Sequence, residues 1–104
     1  MSDLPKLVRD GIPKLIREKG KFPKTRRLSE DETEKWLRKK VLEEAKEFAE
    51  EGEAEEMADL YAVLKEYVDS EDISFSRLES IEEEKVEDRG GFKERIVLED
   101  VKDE

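Results

Sequence analysis

Between residues 21 and 89 the chain has one glycine, Gly52, and it separates two long stretches whose apolar residues recur at helical spacing. Glycine commonly ends a helix in the left-handed conformation, so two helical patterns meeting at one such residue predict a tight helical hairpin. The first arm opens at Ser29, followed three residues later by Glu32 as in a capping box, with acidic residues in the first turn where the helix dipole favours them. Leu37, Val41, Ala45 and Phe48 then recur at i, i+4, i+8 and i+11, with Leu42 and Ala49 widening the stripe, which carries the helix to about Glu51. The second arm, about Glu53 to Asp69, is apolar on two faces. Met57, Tyr61, Leu64 and Val68 form one, and Leu60, Val63 and Tyr67 the other, the pattern of a mostly buried helix.

The flanks add shorter elements. Asp10-Gly11-Ile12-Pro13 can cap a short helix whose apolar side is Leu15 and Ile16 and which ends at Gly20, before the basic, extended stretch FPKTRRL at 22–28. After a polar turn at 70–76, Leu78, Ile81 and Val86 predict a further helix ending near Gly90. The final GGFKERIVLEDV alternates enough around Ile96, Val97 and Leu98 for a short strand, which could pair with Thr25 to Leu28 in a small two-stranded sheet. No repeat or linker divides residues 1–104, so one domain is expected.

A chain of 104 residues with a 35% hydrophobic share builds a modest core, and two wide apolar faces on one helix are hard to bury alone. A homo-oligomer is expected, a dimer being the simplest. The net charge of −10 opposes binding to nucleic acid or anionic membrane. The N-terminus, Met1 to Lys19, has no apolar run long enough for a signal peptide or a spanning helix, which points to the cytoplasm. Cysteine and histidine are absent, which excludes thiolate and Ser-His or Cys-His catalysis and restricts any metal to a hard ion on carboxylate oxygens: magnesium, manganese or calcium.

The carboxylates around the hairpin turn therefore become the candidates. Glu44 and Glu47 are neighbours at i, i+3 beside the apolar stripe, while Glu43 and Glu50 point further toward solvent. Glu56 heads the row of Leu60, Val63 and Tyr67, with Asp59 one i+3 step on, and a carboxylate in that row costs several kcal/mol to bury unless paired or metal-bound. With a rise of about 1.5 Å per residue on both arms, Glu47 comes level with Glu56 and Glu44 with Asp59. Four carboxylates then face one another without a cation in the immediate pattern, and a divalent ion is the usual remedy for such repulsion. A chain with 31 acidic residues also produces these spacings by chance, so a solvated acidic surface is the competing reading.

EEAKE, with Glu43, Glu44 and Glu47, followed by EMAD, with Glu56 and Asp59, resembles the EExxE…ExxD pattern of the all-α nucleoside triphosphate pyrophosphohydrolases, the MazG-like and phosphoribosyl-ATP pyrophosphohydrolase-like superfamily. KLVRDGIP at 6–13 and KVEDRGGFKERIVL at 85–98 resemble the opening and closing segments of its house-cleaning branch. The resemblance implies an all-α helical bundle built on the acidic hairpin. It also implies Mg²⁺-dependent, or Mn²⁺-dependent, hydrolysis of a nucleoside triphosphate, canonical or modified, to monophosphate and pyrophosphate. Glu44, Glu47, Glu56 and Asp59 would be metal ligands and Glu43 an additional ligand or a support for them. The group that orients or deprotonates the attacking water would be a ligating carboxylate, Glu44 and Glu47 being the catalytic candidates. Phosphoribosyl-ATP hydrolysis in histidine synthesis is the alternative within the superfamily, and a non-catalytic metal-binding or interaction module the alternative outside catalysis. The eight residues between Glu47 and Glu56 make an unusually tight connection for that pattern.

Triphosphate needs cationic and backbone donors as well. Lys85, Arg89 and the Gly90-Gly91 turn are candidates, although cations in a last turn and a glycine after it equally describe an ordinary helix end. Lys40, one turn before Glu44, could pair with that carboxylate or reach phosphate. Arg9 in LVRDGIP could contact substrate or make a structural ion pair.

Overall fold

The computed structural model describes residues 4–103. Four helices form: α1 (Ile12–Glu18), α2 (Glu30–Glu51), α3 (Ala54–Ser70) and α4 (Phe75–Arg89). The chain is all-α, and no strand occurs among the described residues. Two compact units divide after Asp72, the first holding α1, α2 and α3 and the second α4 with the segment that follows it.

In the first unit α2 and α3 pack along each other as a hairpin. Ser29 is the N-cap of α2, and the Glu32 carboxylate accepts from the Ser29 backbone N–H at 3.0 Å and from its hydroxyl at 3.1 Å. Arg26 grips the same carboxylate with both terminal nitrogens, at 3.1 and 2.9 Å, so the basic stretch before α2 is tied to its first turn. The arm ends at Gly52, whose φ of 68° is left-handed and whose N–H donates to the Phe48 carbonyl at 2.7 Å. Gly11, not Asp10, is the N-cap of α1, with Pro13 in the first turn and Gly20, at φ 81°, just beyond its end.

The core of this unit is thin. Leu37 and Val68 are its buried hydrophobic residues, and Arg38 supplements them by donating from Nε to the Tyr67 hydroxyl across the hairpin at 2.8 Å. On the α3 row of Met57, Tyr61, Leu64 and Val68, Val68 is buried but Met57 and Tyr61 are about half exposed and Leu64 is 42% exposed. A single packed neighbour covers only part of a helix's circumference. The widened stripe on α2 fails for a similar reason, with Leu42 71% exposed and Ala49 also exposed.

In the second unit Ser74 caps α4, its hydroxyl accepting from the Arg77 N–H at 3.1 Å. The expected two-stranded sheet finds no support: residues 25–28 and 96–98 are not strands, and Ile96, Val97 and Leu98 are exposed. An isolated two-stranded pairing is marginal in water, and alternation by itself supplies neither a hydrophobic face nor a third strand.

Candidate metal and nucleotide site

Helical spacing brings two of the α2 carboxylates to one cation. Lys40 Nζ lies 2.6 Å from Glu43 Oε2 and 3.3 Å from Glu44 Oε1, so the expected Lys40–Glu44 pair forms and Glu43 shares it. Glu43 is therefore half-buried at an ion pair and not turned out to solvent. Burial pulls the Lys40 ammonium toward deprotonation, but its hydrogen bonds and charge attraction to Glu43 and Glu44 outweigh that and leave its pKa above the ordinary lysine value. Glu47 stands against Glu44. The hydrogen bond between the two carboxyls and their repulsion, with a smaller contribution from Glu43, raise the Glu47 pKa, and Lys40 offsets this only in part.

Glu44 is the buried acidic residue of the described chain, 7% exposed, and its Oε2 has no hydrogen-bond partner. Glu56, in the first turn of α3, likewise has a buried and partnerless Oε1. A buried carboxylate oxygen left unpaired costs at least about 1–3 kcal/mol. Asp59, one turn further on, accepts from Arg9 Nη2 at 2.7 Å, an ion pair whose arginine is mostly exposed and whose carboxylate is half-buried.

The cluster is thus not free of cations, as the local pattern suggested: Lys40 reaches it from the preceding turn of α2 and Arg9 from the segment before α1. Arg9, Lys40, Glu44 and Asp59 line one cleft of about 840 Å³, with Leu37 and Val63 among its apolar residues. Glu66 and Asp69 line it too. They stand seven and ten residues after Asp59, a helical spacing that would have placed them on the same face.

As the side chains stand, no group of three or more carboxylates among the described residues is arranged to hold a metal ion. The donor set nonetheless suits a hard divalent cation, being all carboxylate oxygen, and two of those oxygens are buried without partners. In the second unit, Lys85 and Arg89 are exposed on the last turns of α4. Gly90 has φ 81° and its N–H donates to the Val86 carbonyl at 2.8 Å, which makes it the helix end, and the space around both Gly90 and Gly91 is open. Among the described residues no helix is long and apolar enough to cross a membrane. No protein-family model, curated protein or solved structure matches the chain.

Proposed function

We propose that this chain is a divalent-cation-dependent nucleotide pyrophosphohydrolase, hydrolysing a nucleoside triphosphate to monophosphate and pyrophosphate. The observation that carries the reading is the pair of buried, partnerless oxygens on Glu44 and Glu56, one on each arm of the acidic hairpin. Glu44, Glu47, Glu56 and Asp59 would hold Mg²⁺ or Mn²⁺, with Glu43 as an additional ligand or a support. Bound there, the ion would neutralise phosphate charge and lower the pKa of a bound water. Phosphoryl chemistry asks for positioning and charge neutralisation more than for a protein nucleophile, so a chain without His or Cys lacks nothing it needs. Glu44 and Glu47 are the carboxylates from which the proton acceptor for the attacking water would come. Lys85, Arg89, Gly90 and Gly91 remain proposed phosphate contacts on sequence grounds.

The exposed Met57 and Leu64 on α3 support a homodimer in which they are buried. One observation favours the non-catalytic alternative: Lys40 and Arg9 already neutralise part of the cluster, as a purely structural acidic hairpin would require.

The test is pyrophosphate release from a panel of canonical and modified triphosphates and phosphoribosyl-ATP, with Mg²⁺ or Mn²⁺, for wild type, Glu47→Gln and Asp59→Asn. Turnover of at least one substrate, lost in both variants, is expected. Absence of turnover across the panel removes the enzymatic reading, and turnover that survives both substitutions removes these residues from it.

A further inference from the structure

The acidic cleft is held by two cations of the chain itself, and their placement has consequences for what enters it. Lys40 reaches Glu43 and Glu44 from within α2, whereas Arg9 reaches Asp59 on α3 from a segment fifty residues away in sequence. Both line the same cleft. Glu44 and Asp59, which line it, and Glu43 beside Lys40 thus share two monovalent charges, while Glu44 Oε2, and Glu56 Oε1 on α3, are buried without a partner. Point donors on flexible stems satisfy one or two oxygens each, while a divalent ion draws oxygens from several carboxylates at once.

We propose that Lys40 and Arg9 are resident counter-ions of the cleft, which an entering divalent cation displaces from the carboxylates and thereby frees to meet the phosphates of the nucleotide. This inference rests on the metal-dependent reading above. The two cations differ in how readily they leave. The Arg9 side chain is 63% exposed and pairs with one carboxylate that is itself 44% exposed, so this contact is the weaker and yields first. Lys40 is only 14% exposed and contacts two carboxylates, so it is the stronger competitor. Both are suited to a second task. Arg9 sits on irregular backbone before α1 that can re-aim it, and its guanidinium matches phosphate oxygens in a fork; Lys40 pivots on a four-carbon stem.

The experiment titrates the full chain with Mn²⁺ alone, following free Mn²⁺ by electron paramagnetic resonance, for wild type, Lys40→Met and Arg9→Gln. Removing a competing charge should tighten Mn²⁺ binding, by about twofold for Arg9→Gln and about fivefold or more for Lys40→Met, whereas Lys40→Arg and Arg9→Lys should stay near wild type. Lys40→Met and Arg9→Gln, saturated with Mn²⁺, should each bind a non-hydrolysable triphosphate more weakly than wild type. In the wild type itself, Mn²⁺ should raise the reactivity of the Lys40 amine toward an acylating reagent, a readout that needs no variant to fold. Wild type that binds Mn²⁺, with variants no tighter and Lys40 reactivity unchanged, overturns the counter-ion role and leaves the metal reading standing. No Mn²⁺ binding by any of these proteins overturns the metal reading, and the counter-ion role falls with it.

Discussion

Glu44→Gln separates a structural from a functional role for the buried carboxylate. At 3.3 Å from Lys40 Nζ, the Glu44 carboxylate gains a gross attraction of about 5 kcal/mol at an effective dielectric of about 20. Burial to 7% exposure costs several kcal/mol per ion, which consumes most of that attraction. Repulsion from Glu43 and Glu47 and the unpaired Oε2 add to the debit. A glutamine of the same shape removes the charge and brings an amide that can donate to Glu47, while Lys40 keeps Glu43 at 2.6 Å. In chelator at pH 7 the variant should therefore be more stable than wild type by about 1 kcal/mol, a rise in Tm of about 4–8 °C for a domain of this size. In Mg²⁺ the order should reverse. Wild type gains about 2.7 kcal/mol at a hundredfold excess over its Kd, and the variant, short of one ligand, gains much less. Circular dichroism melts in the two buffers measure all four values. A variant that loses more than about 1 kcal/mol in chelator would show that the Lys40–Glu44 pair is a net structural asset, which is contrary to this reasoning.

Three further outcomes are expected. Gly52→Ala should cost about 1–2 kcal/mol in denaturant unfolding, because φ is +68° and nothing lies within 4 Å of where a Cβ would stand, so only backbone strain is added; an unchanged midpoint would show that the turn relaxes freely. Glu32, held at about 2 first by its hydrogen bonds from Arg26 and next by the Ser29 N–H, stabilises the fold above its unfolded value of 4.5 and loses that contribution as pH falls toward 2. The gap in Tm between wild type and Glu32→Gln should accordingly be present at pH 6 and close in that acid window, and a gap independent of pH would assign the effect to shape alone. Sedimentation at micromolar concentration should find a wild-type dimer and a Leu64→Glu monomer, since Leu64 is an exposed apolar residue of α3; a wild-type monomer would remove the dimer.

The hairpin is legible in the sequence because its signals are local. The Ser29–Glu32 pattern, the apolar recurrence from Leu37 to Phe48 and the left-handed glycine together place α2 at Glu30–Glu51 and α3 just beyond the turn. The Lys40–Glu44 contact is legible for the same reason, being one helical turn long. Arg9 on Asp59 is not, because no periodicity relates residues fifty positions apart. Exposure is read less well than helicity: Leu42, Met57 and Leu64 carry the period of buried residues, but period states which face is apolar and not what covers it. At Ile96 to Leu98 alternation was insufficient for the opposite reason, as a strand needs a partner that three apolar residues do not specify.

The central claim is tested most directly by ³¹P NMR of a hydrolysable nucleoside triphosphate incubated with the protein and Mg²⁺. Monophosphate and pyrophosphate in equal amounts are expected, formed by wild type, abolished by chelator and lost in Glu47→Gln. Diphosphate with orthophosphate, or the same products at the same rate from Glu47→Gln, would contradict it.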